Sequence, residues 1–183
     1  VAHSDRLNLF QTIKSIKDII NQEENNYIYV NVASGSKIQA IACMMACMVL
    51  KECDNLQPFY AEPESYAAFE GKQQSFGIKD TIALPTYEIQ TPQPKLLAAL
   101  KIVSDQPNQK ITKKEMAQIA EDQKIITINA EQENHSQARF ASLDKNIISP
   151  LEKEWKFIEV EKIGRNRWIK ITQEGIDAAE FLI

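Results

Sequence analysis

The side chains with the strongest recognition chemistry lie in one short segment of the C-terminal half. The candidate recognition residues there are Ser136, Gln137, Arg139, Ser142 and Lys145. Glutamine and arginine can form paired hydrogen bonds with base edges, whereas lysine and serine reach phosphate oxygens. Ser136 also stands near the expected start of a helix, where free backbone N–H groups attract phosphate. The segment predicts a DNA-binding surface.

A second cationic segment, Gly164–Arg167, lies closer to the C-terminus. Arg165 and Arg167 flank Asn166, and the alternating residues on both sides predict a β-hairpin with these three near its tip. Such a tip can contact the DNA backbone or the minor groove. The alternatives are a simple solvated turn and a module that binds only other proteins.

The third candidate is the turn that follows a predicted strand in the N-terminal half. Its polar residues are Asn31, Ser34, Gly35, Ser36 and Lys37. A small, hydroxylated turn that opens a helix at the carboxyl edge of a sheet can hold an anion or a nucleotide. The spacing is neither that of a Walker loop nor G-x-G-x-x-G, and a capped helix start explains the turn equally well.

Catalytic and metal-binding patterns are weak. His3 and His135 are far apart, and neither accompanies a nucleophile in a triad-like context. Cys43, Cys47 and Cys53 are odd in number and have no neighbouring histidine, so we expect small apolar thiols in a reducing cytoplasm. The sequence predicts no enzyme, no metal and no cofactor.

The composition is that of an ordinary globular chain, with 44% hydrophobic and 25% charged residues. The net charge of −4 does not itself indicate a nucleic-acid binder. Residues 1–94 hold 7 Lys/Arg against 11 Asp/Glu, whereas residues 95–183 hold 14 of each. The longest apolar stretch, Ile38–Leu50, is too short to cross a bilayer. Because the chain opens at Val1 rather than Met, we expect that its true start is missing.

Residues 1–92 are predicted to form an α/β domain that resembles part of a Rossmann fold. The predicted helices are Leu7–Gln22 and Ser36–Lys51, the second apolar nearly all round and buried on most sides. The predicted strands are Tyr27–Val32, Pro58–Glu62 and Leu84–Gln90, with a loop over Glu64–Asp80. This order is typical of a parallel sheet with crossover connections. Either an N-terminal βα portion is missing, or the small sheet leans on a partner chain.

The prolines of Thr91–Pro94 mark a boundary, and residues 93–183 are predicted to form an α+β domain. The expected helices are Leu96–Ser104, one capped by Thr112 with Glu115, one from about Ser136 with a kink or end at Pro150, and Glu174–Ile183. The expected hairpin strands are Phe157–Ile163 and Arg167–Thr172. Three helices, a hairpin and a closing helix are the pattern of a winged helix-turn-helix.

Several segments together resemble archaeal winged-helix regulators with a CARF domain, the CRISPR-associated Rossmann fold. They are NVASGSKIQAIACMMACM, YAEPESY, LPTYEI and LDKNIISPLEKEWKFIEVEKIGRNRWIKITQEG. The resemblance implies a ligand pocket at a homodimer interface, lined by the motif at Asn31 and Ser34–Lys37. The implied ligand is a nucleotide second messenger of the cyclic oligoadenylate class.

The first hypothesis is therefore a homodimeric, cytoplasmic transcription regulator that binds double-stranded DNA and responds to a ligand. A second is a protein that sequesters cyclic nucleotides or cleaves them slowly around Ser36 and Lys37. A third is a winged-helix adaptor that binds proteins.

Overall fold

Pro92 and Pro94 lie where the chain divides into two units, Val1–Thr91 and Pro92–Ile183. The computed structural model describes residues 7–23, 25–50, 55–66, 75–128 and 131–183.

The N-terminal unit starts with the predicted succession of helix, strand, helix and strand. Its helices are α1 (Leu9–Gln22) and α2 (Lys37–Val49). Its strands are β1 (Ile28–Asn31), β2 (Leu56–Glu62), β3 (Ser65–Tyr66), β4 (Ser75–Phe76) and β5 (Asp80–Ala83). Asn8 caps α1, and the apolar stripe of this helix buries Ile13 and Ile20.

The main sheet has the strand order β1-β2-β5 and is mixed rather than wholly parallel. β1 and β2 run parallel, with α2 as the crossover between them. The prediction of a parallel sheet is wrong for β5, which pairs with β2 in antiparallel fashion. The prediction of a strand at Leu84–Gln90 is also wrong, since the strand of this region, β5, ends before Leu84. Pro85 disfavours a strand in this segment because it has no N–H to donate.

Two further expectations for this unit need correction. The segment predicted as a loop, Glu64–Asp80, contains the short antiparallel pair β3–β4, and its residues 67–74 lie outside the described part. α2 is not buried on most sides, since Ile41 is 53% exposed, and Tyr29 of β1 is 68% exposed. A three-stranded sheet offers too little surface to cover every apolar side of these elements.

The described residues of the C-terminal unit form four helices and a three-stranded antiparallel sheet of order β6-β8-β7. The helices are α3 (Pro94–Ser104), α4 (Lys113–Asp122), α5 (His135–Leu143) and α6 (Gln173–Leu182). The strands are β6 (Lys110–Thr112), β7 (Ile158–Ile163) and β8 (Asn166–Ile171), and the turn Pro107–Gln109, with positive φ at Asn108 and Gln109, precedes β6. The sequence prediction missed β6, which has only three residues.

The helical backbone of α5 continues to Glu154 in wider turns, Asp144–Ile148 and Pro150–Glu154. Pro150 does not end it: Ser149 keeps a helical φ of −60° and ψ of −46°, and Trp155 N–H donates to the Pro150 carbonyl at 3.1 Å in an i→i+5 bond. Fully buried side chains along this stretch pack against those of α3 and β8. These central core residues are Leu100, Leu143, Ile147, Leu151 and Ile169.

Candidate nucleic-acid interface

The solvent-facing side of α5 and of the wider turns that continue it carries Gln137, Ala141 and Lys145, which are all exposed and are here called the exposed row of α5. Their spacing of four residues places them in one row along the helix. Ser136 is exposed in the first turn, and no side chain caps this helix start. The structure thus presents three of the five polar residues predicted on this segment, namely Ser136, Gln137 and Lys145, to solvent.

Arg139 and Ser142, predicted to project outward, instead bond within the domain. The Arg139 side chain is 16% exposed and forms a 3.0 Å ion pair with Glu121 of α4. Ser142 donates to the Thr127 carbonyl at 3.3 Å. Arg139 precedes the buried Leu143 by one helical turn, so it lies on the side of α5 that faces the core.

Glu121 holds the first turn of α5 through both carboxylate oxygens. Oε2 pairs with Arg139, and Oε1 lies 3.0 Å from His135 Nε2. Arg139 also donates to Gln118 Oε1 of α4. Because α5 has no side-chain cap, these contacts with α4 replace the usual local fixation of the helix start.

The hairpin tip places its two arginines beside the helices. Gly164, with a φ of +63°, forms the tight turn, and Arg165, Asn166 and Arg167 are all exposed. Side chains alternate along β8, so Arg167 lies on the same face as the buried Ile169, towards the helices. The predicted tip residues therefore do stand next to the third helix.

The tip and the start of α4 together form an open groove, here called the wing groove. It is lined by Thr112, Lys113, Lys114, Phe140, Arg165, Asn166 and Arg167. Every ionisable side chain among these described lining residues is a cation. The groove therefore presents positive charge that phosphate groups can neutralise.

The sequence analysis missed Lys113 and Lys114, although it predicted the helix start that positions them. Thr112 caps α4 as expected: its hydroxyl accepts from Glu115 N–H at 3.2 Å, and the Glu115 carboxylate accepts from Thr112 N–H at 3.1 Å. Hydrogen bonds from the Thr112 hydroxyl and N–H lower the pKa of Glu115. Two lysines at the positive end of a helix are locally unfavourable. Their presence there was the sequence feature that could have indicated a functional role.

Acidic residues of the hairpin do not enter the wing groove. Glu159 and Glu161 pair across the sheet with Lys170 and Trp168, on the face opposite Arg167. The acidic side chain of Glu152 lines a neighbouring groove between the extended α5 and the hairpin. Glu159 and Glu161 therefore lie away from the wing groove, whereas Glu152 and Asp144 line the neighbouring groove together with Lys113 and Arg167.

The candidate ligand turn of the N-terminal unit is a well-bonded helix start. Ser36 caps α2, with Gln39 N–H donating to its hydroxyl at 3.2 Å and Ser36 N–H donating to Gln39 Oε1 at 2.9 Å. Asn31 accepts from Ala33 N–H at 2.8 Å. Four of the five candidate residues remain exposed, namely Asn31, Ser34, Gly35, which has a φ of +94°, and Lys37.

The cysteines and helices of the described part of the chain bear on metal binding and on membrane insertion. No group of three or more His, Cys, Asp or Glu residues there could hold a metal ion. Cys43 and Cys47 are free thiols, and burial raises the pKa of Cys47 to about 12. Among the described helices, none has the length and apolar character that a bilayer crossing requires.

Two families match different parts of the sequence. The DUF6293 C-terminal winged helix domain matches residues 95–183, and an N-terminal family named HFX_2341_N-like matches residues 1–66. The uncharacterized protein MJ1513 of Methanocaldococcus jannaschii is 28% identical over 141 residues, which cover 64% of this chain. The chain spans only 42% of the length of that relative. The C-terminal unit is a winged helix domain.

Proposed function

We propose that the chain is a transcription regulator that binds double-stranded DNA through its winged helix domain. The observation that carries this proposal is the wing groove, where Lys113, Lys114, Arg165 and Arg167 lie together and no acidic side chain is part of the lining. Phosphate contacts of this kind supply most of the electrostatic affinity for a duplex.

In this proposal the exposed row of α5 contacts bases while the wing groove contacts the backbone. Gln137 can form paired hydrogen bonds with an adenine edge, and Lys145 can reach a guanine edge or a phosphate. Arg139 is not part of the reading surface, because its guanidinium is committed to Glu121 and Gln118. Its role is to hold α5 in position.

The test is duplex binding measured at several salt concentrations. Replacing Arg165 and Arg167 by alanine should remove two phosphate contacts and reduce the slope of log K against log salt by about 1.8. The matched control is Lys95→Ala/Lys101→Ala, which removes two exposed cations from α3. Equal slopes for the arginine variant and the wild type would contradict the proposal.

We extend the proposal to the N-terminal unit, as a sensor that binds a nucleotide-type anion of the cyclic oligoadenylate class in a homodimer. Support comes from the resemblance at NVASGSKIQ and from the exposure of Ser34 and Lys37 at the positive end of α2. The function is binding and not catalysis.

Equilibrium binding of cyclic oligoadenylates tests the sensor role. Lys37→Ala should weaken binding, whereas Lys14→Ala, an exposed lysine of α1, should not. Chromatography of the recovered ligand distinguishes binding from cleavage, and light scattering gives the oligomeric state. Absence of binding by the wild type would end this part of the proposal without affecting the DNA-binding part.

A further inference from the structure

One cation of the wing groove differs from the other three. Lys113 Nζ lies 2.6 Å from Asp144 Oδ2, and the Lys113 side chain is only 13% exposed. Lys114, Arg165 and Arg167 are exposed. The Lys113 charge is therefore already balanced by a carboxylate of the same domain.

Asp144 stands where it affects more than its ion-pair partner. It follows α5 directly, is 47% exposed, and lines the neighbouring groove together with Lys113 and Arg167. A carboxylate at this position neutralises one cation and also repels phosphate from the surface around it. Charges within a Debye length, about 8–10 Å at physiological salt, act on one another in this way.

A contribution to the stability of the fold does not by itself explain the ion pair between Lys113 and Asp144. An ion pair that is partly removed from water gains little net free energy over a neutral pair of similar size, since desolvation offsets the attraction. Phosphate contacts carry no sequence information of their own, so fewer of them means weaker binding to unrelated DNA.

We propose that Asp144 limits the affinity of the winged helix for DNA of any sequence by withholding Lys113 from phosphate. The inference rests on the proposed DNA binding and deepens it. Three cations of the wing groove then contact the duplex backbone, and the discrimination between sequences depends more strongly on the exposed row of α5.

The experiment measures salt-dependent binding of the full chain to a duplex of unrelated sequence. Asp144→Asn frees one positive charge, so the slope of log K against log salt should steepen by about 0.9, and affinity near ~50 mM salt should rise roughly tenfold. The double variant Lys113→Met/Asp144→Asn removes both charges and should return the slope to the wild-type value.

The matched control is Asp105→Asn. Asp105 pairs with Lys101 on α3 at 3.2 Å, so this variant also removes the acid of an ion pair, outside the groove residues. It should leave the slope unchanged. A general effect of net charge would instead make Asp105→Asn and Asp144→Asn behave alike, and that result would overturn the inference.

Two other outcomes would also overturn it. One is an unchanged or shallower slope for Asp144→Asn together with a lower thermal midpoint, which would make the pair purely structural. The other is a double variant whose slope falls by about 0.9, which would show that Lys113 contacts phosphate in spite of Asp144. The slope of the double variant Lys113→Met/Asp144→Asn remains informative even if Asp144→Asn alone fails to fold. Failure of the wild type to bind any duplex would refute the proposed function itself.

Discussion

The two units bury their apolar side chains to very different extents. Among the described residues, eleven of the twelve exposed large apolar side chains belong to the N-terminal unit, and only Ile163 belongs to the winged helix. The winged helix forms one continuous core from its own helices and strands. Its fold is therefore specified by its own sequence, whereas the N-terminal unit leaves apolar surface that further contacts would have to cover.

The same contrast appears at two helix starts with matching local chemistry. Ser36 with Gln39 and Thr112 with Glu115 form equivalent reciprocal caps, and both cap residues have an extended backbone. Only the second meets a cationic hairpin tip. A capped helix start is thus common to both units, and its tertiary neighbours decide how many cations surround it.

The largest expected effect is the loss of stability when a buried isoleucine of the winged helix is shortened, compared with an exposed isoleucine of the N-terminal unit. Ile147→Ala should reduce the free energy of unfolding of the winged helix by about 2–5 kcal/mol, because Ile147 is fully buried and its removal leaves a cavity. Ile41→Ala, the same substitution at a site that is 53% exposed in α2, should cost much less. Thermal and denaturant unfolding of both variants measure the difference.

A graded control sharpens this comparison. Ile147→Val removes a single methylene and should cost about 0.5–1.5 kcal/mol. If Ile41→Ala proved as damaging as Ile147→Ala, the exposed side of α2 would be covered by another surface in solution, and the contrast between the units would be lost.

The next effect concerns the two caps. Thr112→Ala and Ser36→Ala should each destabilise their own unit by about 1 kcal/mol, since each removes an acceptor for a free N–H group at a helix start. Only Thr112→Ala should also weaken duplex binding, because it loosens the turn that carries the exposed Lys114. Unfolding and duplex-binding measurements on both variants separate the two effects, and equal loss of binding in both would argue against a specific role of the α4 start.

Local patterns were enough to predict most elements of the winged helix. Its helices have regular apolar spacing, and the cap at Thr112 was predicted correctly. β6 could not be found in the same way, because a three-residue strand has no periodicity and exists only through its pairing with β8. β5 likewise has four exposed residues and no alternating signal.

The candidate site was predicted less completely than the fold. Arg165 and Arg167 were found because a glycine turn between alternating strands places its tip residues in solvent. The prediction placed Arg139 on the solvent-facing side of α5 because arginine is charged. Its position four residues before Leu143 indicated the core-facing side instead. The ion pair between Lys113 and Asp144 joins residues 31 positions apart, and only the folded backbone brings them together.

The smallest effect distinguishes the two caps by acid titration. The folded state lowers the pKa of Glu115 through its hydrogen bonds with Thr112, so the ionised carboxylate stabilises the fold. This contribution is present above the unfolded pKa of about 4.3 and is lost as the pH falls through the lower folded value. Gln39 does not ionise, so the Ser36 cap should have no such dependence on pH.

The stability difference between wild type and Glu115→Gln should therefore shrink on acidification, and Gln39→Glu should introduce a similar dependence at α2. A difference between wild type and Glu115→Gln that stays constant from about pH 6 to about pH 3 would show that the carboxylate charge contributes nothing to the α4 cap, and that the two helix starts are equivalent in this respect as well.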